Sequence, residues 1–420
     1  MRRIPYPEMV MRRLQSALQS GLVLFALSGV VPFAHAMETL AVDADLSLAE
    51  VTAATLAHSP ENERFEAQRA YADALGQRAG NPLDGPPSVG FSHQSDALGT
   101  DTGMREWQGS IELPLRRPGL QAAAERQAEG RLSATEQQST AWRLQIAGQV
   151  RQLLARLAEA DAQVTLAERA FATAKELQSQ IKKRLDYGDV PRTHLILARE
   201  ETLQRQADLR QAELGRAQVA EEYRRVTGLS VRPADWTESP ADAIPFQQHP
   251  ALLAAQAEVR AAEADRAVVR ERGRSQPTVG MNIRREENGR DAVDSVGISL
   301  SLPIQLQSLR APEQGRANVN LAEARSTAHL TERQIRLAVA QAEEALAAAR
   351  VELEQARAHR DLADESLALA RRGYSLGEFG LTDLLRVQTR QLTAQRRAAM
   401  SRVRLQRSIA EYNQAKGVMP

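Results

Sequence analysis

The side chains that could do chemistry are few and scattered. The 420-residue sequence has no cysteine and seven histidines. Without thiols there is no thiolate metal site, no thiol nucleophile and no disulfide framework. The histidines stand apart, and no nucleotide loop, metal-ligand cluster or nucleophile motif accompanies them. The expectation is a non-enzyme without a cofactor. Two glycine-containing turns stand out instead: Tyr187-Gly188-Asp189-Val190-Pro191 and Leu376-Gly377-Glu378-Phe379-Gly380-Leu381-Thr382. An ionisable residue follows each at the corresponding place, His194 in one case and Asp383 in the other. Arg386 follows Asp383 at i,i+3, where the two can pair on a helix. A histidine beside an aspartate can respond to pH or hold a metal ion. The simpler reading, a solvated histidine on a helix face, is preferred.

These turns need long helices to carry them. Aromatic residues are only 4% and charged residues 25% of the chain, which disfavours a large α/β core. No proline falls between Pro118 and Pro191, or between Pro312 and the final residue. Ile146, Val150, Leu153, Leu157, Ala160, Val164 and Ala167 step by alternating fours and threes, a coiled-coil seam. Ile335, Val339, Ala342, Leu346, Ala349, Leu353 and Ala356 repeat those steps at a constant offset. Pro87-Ser88-Val89-Gly90-Phe91 returns as Pro277-Thr278-Val279-Gly280-Met281, and Gly228-Leu229 as Gly417-Val418. Such matching across a whole half marks an internal duplication. The expected first repeat is 37–229, with a hairpin at 87–114, a long helix at 118–186 and a return helix at 191–228. A linker occupies 230–246. The second repeat is 247–420, with a hairpin at 277–303, a long helix at 312–376 and a return helix at 381–416. Shorter helices are expected over 45–80 and 247–274, ahead of each hairpin.

The strand signal is period-two alternation. Val296, Ile298, Leu300 and Leu302 alternate with Gly297, Ser299 and Ser301, and Trp107, Gly109, Ile111 and Leu113 with Gln108, Ser110 and Glu112. Strands of about ten residues suit a tilted outer-membrane strand. Four strands cannot close a barrel, and open edges are not tolerated in lipid, so several chains must share one barrel. The charged run Arg284-Arg285-Glu286-Glu287 is expected in the loop or facing the lumen.

The amino terminus reads as an export signal. Arg2, Arg3, Arg12 and Arg13 precede an apolar run from Gly21 to Val31 and then Ala34-His35-Ala36, so 1–36 is expected to be cleaved after Ala36. Met11 is an alternative start. The formal charge of +1 includes four arginines and Glu8 from this segment, and the mature value is −2. That balance, with acids and bases interspersed, predicts no nucleic-acid partner.

The segments 249–285, VGISLSLPI (296–304), RRGYSLGEFGLTDLLRVQTRQLTAQ (371–395) and RLDYGDVPRTHLILAREETLQRQADL (184–209) resemble the TolC-like outer-membrane efflux factors. The wording is nearest the heavy-metal, CzcC-like branch, and the resemblance covers about 45–418. It implies a mainly α fold with a small β part: long coiled-coil hairpins forming a periplasmic tunnel, and four strands from each of three chains forming a twelve-stranded outer-membrane barrel. It implies a homotrimer in outer-membrane lipid, contacting a periplasmic adaptor and an inner-membrane RND transporter, as the passive exit duct of a tripartite pump. Heavy-metal cations are the implied cargo, with drugs or type I protein secretion as alternatives. A pore-less periplasmic coiled-coil scaffold is the rival outside the family. Without a lipobox cysteine, no lipidation is expected. The adaptor-docking tip implied is Gly188, Val190, Pro191, Gly377, Phe379, Gly380, Leu381 and Thr382. Asp383 is the implied aperture residue, with Arg386 departing from a second aspartate and His194 at the matching position of the first half. Three copies of Asp383 would form a carboxylate ring.

Overall fold

A computed structural model describes residues 40–420 apart from 100, 101, 243, 290 and 305. The expected signal segment 1–36 lies outside the described residues. The chain runs through β1 (Ala41–Asp43), α1 (Leu48–Ala57), α2 (Glu61–Ala79), β2 (Ser88–Ser95), β3 (Met104–Pro114), α3 (Pro118–Asp186) and α4 (Arg192–Thr227). It continues with β4 (Val231–Pro233), a short 3-10 turn, α5 (Pro250–Arg272), β5 (Thr278–Asn288), β6 (Asp291–Ser301), α6 (Gln307–Ser375) and α7 (Leu381–Ala415). The long helices α3 and α6 have 69 residues each. At 1.5 Å per residue that is roughly 100 Å.

Three expected boundaries move. The stretch 45–80 is two helices, because Pro60 lacks the N–H that a continuous helix would need there. The second long helix starts at Gln307 rather than at Pro312, which is accommodated inside it near its amino end. The charged run Arg284–Glu287 lies within β5, which continues to Asn288, itself paired to Asp291 of β6. Arg284 reaches across to Glu106 of β3 at 3.6 Å, and Arg285 to Glu287 at 3.2 Å. Charged partners on the same sheet therefore hold this run in regular strand.

The helices pack through small residues. Ala134, Ala257 and Ala261 form a tight α3–α5 seam, and Gly130 lies against the backbone of Ala261. Around that seam Arg131 pairs with Glu258 at 3.2 Å and with Asp265. The main core gathers Val51, Ile146, Val150, Leu153, Leu157 and Tyr223. There the short parallel pair β1–β4 ties the start of the described chain to the segment joining the two halves. That joining segment is no loose linker. Arg151, nearly fully buried, donates to Glu238 at 2.9 Å, to the Gln414 side chain at 2.7 Å and to the Val418 carbonyl at 3.1 Å. Asn413 adds a 2.8 Å bond to Glu238. One guanidinium on α3 thus holds both the joining segment and the end of α7.

The strands form one antiparallel sheet in the order β2-β3-β5-β6. Its register places Val89, Ile111, Met281 and Ile298 in one row and Phe91, Gly109, Ile283 and Val296 in the next. Leu113, Val279 and Leu300 make a third row. Ser88, Glu112, Gly280 and Ser299, with Gly90, Ser110, Asn282 and Gly297, occupy the opposite face. Over these rows one face is apolar and the other polar, across all four strands. The apolar side chains are exposed, Val89 at 80% and Ile298 at 83%. Further along that face, toward the hairpin turns, His93 stacks on Trp107 with ring centroids 4.9 Å apart, and Arg285 and Asp294 continue the row.

His249 makes one junction sensitive to protonation. Its Nδ1 accepts from the Ala251 N–H at 3.2 Å, capping α5, and the ring also hydrogen-bonds the Ala415 backbone at the end of α7. Burial pushes its pKa below the ordinary histidine value, and the Ala415 bond only partly offsets this. A protonated Nδ1 cannot accept, and its charge would oppose the helix dipole. The fold requires the neutral ring, so this contribution is complete above the ordinary histidine pKa of about 6.5 and is lost as pH falls toward the depressed native value. Asparagine also caps helices but does not titrate. Chemical denaturation at pH 7.5 and pH 5 should show a larger loss of stability in the parent chain than in His249→Asn. Equal losses would contradict the assignment.

Candidate functional site at the helix tips

Each long helix ends in the same backbone device. In the first half, the Gly188 N–H bonds the Leu185 carbonyl at 2.9 Å and the Asp189 N–H bonds the Arg184 carbonyl at 2.8 Å. In the second half, Gly377 bonds Tyr374 at 3.2 Å and Glu378 bonds Gly373 at 2.9 Å. These are Schellman closures, whose reversing residue takes a left-handed conformation that favours glycine. Gly188 has φ +82° and Gly377 has φ +80°. The return helices also begin alike, with Pro191 and Gly380 as extended N-caps at ψ 153° and 156°. Thr382, which suits a helix start by its residue type, lies one residue inside α7 and is exposed.

The two turns are joined into one tip. Val190 and Leu381 pack with Ile181, Leu195 and Ala198 in a shared core. Leu381 is 1% exposed and Val190 8%, so both hold the tip together from inside. Gly188, Pro191, Gly377, Gly380 and Thr382 form its outer surface, with Phe379 half exposed. The Phe379 ring lies against Gly373, where a Cβ would come within 2.6 Å of it. Two exposed apolar residues complete this surface and were not among the expected docking positions: Tyr187 and Leu376. They occupy the same place in the two turns, directly before the reversing glycine. An apolar residue repeated there was the available sequence signal.

Arg386 lies 3.4 Å from Asp383, and both side chains are well exposed. An exposed pair of this kind is worth about 1 kcal/mol or less. It nevertheless places a cation beside the carboxylate. His194 occupies the first turn of α4 at the position matching Asp383, and its Nδ1 is enclosed without a hydrogen-bond partner. The structure therefore does not pair His194 with Asp383. Among the described residues no group of histidines and acids could hold a metal ion. Beside the tip, a cleft of about 790 Å³ is lined by Glu176, Gln180, Arg184, Arg371, Tyr374 and Gln388. The Arg184 guanidinium stacks 5.2 Å over the Tyr374 ring there, linking α3 to α6.

The model of the outer membrane efflux protein family matches residues 246–417. A membrane protein from Pseudomonas aeruginosa shares the fold with a TM-score of 0.73 at 17% identity, over 91% of this chain and 92% of that one. The outer membrane protein VceC of Vibrio cholerae gives 0.73 at 18% identity, over 88% and 96%. The CmeC outer membrane channel of Campylobacter jejuni gives 0.71 at 17% identity, over 88% and 85%. The fold is that of the outer-membrane efflux channels. No curated protein matches the sequence. The family match contains the second tip, with Gly377, Phe379, Asp383 and Arg386, and begins after the first. In this efflux-channel fold the first tip is carried by structural likeness alone.

Proposed function

We propose that the chain is the outer-membrane exit duct of a tripartite efflux pump. The observation that carries this reading is the sheet with one exposed apolar face and two unpaired edge strands. In water such a sheet invites association; in lipid its edges would leave N–H and C=O groups without partners. Joining β6 of one copy to β2 of the next satisfies both demands. Three copies supply twelve strands, with the apolar rows toward lipid and the polar face toward a lumen. No helix among the described residues is long and apolar enough to cross a membrane. The strands are then the membrane-spanning part, and the coiled-coil hairpins extend into the periplasm. The reading includes removal of 1–36 during export and retention by the barrel without lipid attachment. The protein works as a passive channel, not an enzyme.

In this reading the tip is where a periplasmic adaptor docks. Tyr187, Leu376 and Phe379 offer apolar contacts, and Gly380 and Thr382 leave the backbone approachable. An inner-membrane RND transporter supplies the energy and selects the cargo. The wording of 249–285 and 371–395 supports a heavy-metal pump. Drug or protein export is the alternative within the same fold.

Fractionation of cells expressing the full chain should recover it in the outer membrane, and light scattering of the solubilised protein should give three copies. A soluble monomeric periplasmic pool would overturn the duct. Leu376→Asp with Phe379→Asp should reduce co-purification of the cognate adaptor at least about tenfold, as expected for losing contacts at the centre of an interface, while the trimer persists. Unchanged adaptor capture would remove the tip from the docking surface.

A further inference from the structure

Resting on the duct reading, we propose that α7 lines the tunnel with an arginine stripe that favours small negatively charged solutes over bare divalent cations. α7 packs against α6 and α3. It does so through Leu381, Leu384, Gln388, Gln391, Ala394 and Ala398, all buried. Along α6 this contact is fastened by Gln391 to Asp364 at 2.7 Å, Arg404 to Glu352 at 2.8 Å and Lys416 to Glu343 at 2.7 Å. The solvent-facing side of α7 is exposed and carries Arg386, Arg390, Arg397, Arg404 and Arg407, with Arg404 near enough to the α6 edge to reach Glu352. Steps of four, seven, seven and three keep all five on one side of a coiled-coil helix. From first to last the stripe is about 30 Å long.

Few acids answer it. α7 as a whole holds seven arginines against Asp383 and Glu411. Arg386 is engaged by Asp383, Arg407 by Glu411 at 2.8 Å and Arg404 by Glu352. Arg390 and Arg397, at the centre, lie within ion-pair distance of no acid among the described residues. The sister helix α4 does not share the feature. At the corresponding positions of the first half it has Leu197, Glu201, Asp208, Gly215 and Gln218. Glu201 and Asp208 are both held by Arg205, at 2.7 and 2.9 Å. The stripe is therefore a feature of one copy of the duplicated hairpin only.

Its position gives it an effect. It is continuous with Asp383 and Arg386 in the first turns of α7, beside the tip. In a trimer three stripes converge on one passage. Guanidinium groups stay charged at every physiological pH. A confined passage lined with one sign of charge concentrates counter-ions, and rings of arginine select anions. Bare divalent cations would be repelled over the same stretch, so a metal would pass more readily as an anionic complex.

The test is the full-length chain in planar bilayers under a potassium chloride gradient. The reversal potential should report chloride more permeant than potassium. Arg390→Gln with Arg397→Gln should lower that ratio at least about twofold while channels still form, since within the stripe these two charges have no acidic partner among the described residues. The chain has no native cysteine, so Arg397→Cys can be modified alone. A membrane-impermeant anionic thiosulfonate should then reduce the current. Cation selectivity in the parent, an unchanged ratio in the double variant, or labelling that leaves the current unaltered would each overturn the stripe. The last would put it on the outer wall, facing an acidic partner. Failure to form channels at all would instead remove the duct reading itself.

Discussion

An amphipathic four-stranded sheet with both edges open is the constraint around which this molecule is organised. Val89, Phe91, Ile111, Leu113, Met281, Ile283, Val296, Ile298 and Leu300 are all exposed on its apolar face. At roughly 1.5 kcal/mol or more per buried side chain, leaving them in water forgoes stabilisation comparable to the whole net stability of a typical domain, about 5–15 kcal/mol. A lipid surround recovers that energy, but only for a sheet without open edges. Association of the strands and insertion into lipid are then one requirement. The helices inherit it, because each hairpin's second strand continues within a few residues into α3 or α6.

The second organising fact is that backbone and side chains diverged to different extents between the halves. Pro118 to Gln307, Asp186 to Ser375 and Arg192 to Leu381 are separated by one constant offset. The reversing glycines keep the same conformation. The side chains on that frame differ: Val190 against Phe379, Pro191 against Gly380, His194 against Asp383, Glu201 against Arg390 and Asp208 against Arg397. Schellman closures and coiled-coil seams tolerate little change in backbone. The exposed face of a return helix tolerates almost any polar residue. Functional difference between the halves therefore concentrates on that face and on the tip surface.

Much of this frame was legible in the amino-acid order because it depends on local rules. Alternating steps of three and four residues fixed the seams, and glycine followed by a helix start marked the turns. The misses came where distant partners decide. Of the two places expected for Arg284–Glu287, loop or lumen-facing strand, the loop is excluded; Glu106, on a strand of the other half, supplies a cross-strand partner. Val190 and Leu381 were docking residues only by the family resemblance of the turns that contain them. Each is buried in a core that the two tips share, a contact invisible to either hairpin alone. Arg151 carries no local signal that sets it apart from the other charged residues of α3. Its role emerges only when the joining segment and the end of α7 converge on it.

The electrostatics of the tip follow from the same divergence. An exposed carboxylate at the start of α7 benefits from the helix dipole, which by itself would favour an acidic mouth. Arg386, one turn later, sits 3.4 Å away and cancels much of that field at close range. Screening at physiological ionic strength limits exposed charges to about 8 Å, so the remote acids of α3 cannot restore it. Along the stripe Arg390 and Arg397 keep guanidinium charge without an acidic partner among the described residues, as do Arg396 and Arg402 elsewhere on α7. If three copies enclosed a passage narrower than a few screening lengths, as the proposed duct requires, those charges would act on a solute directly, whereas on an open surface water and salt mute them.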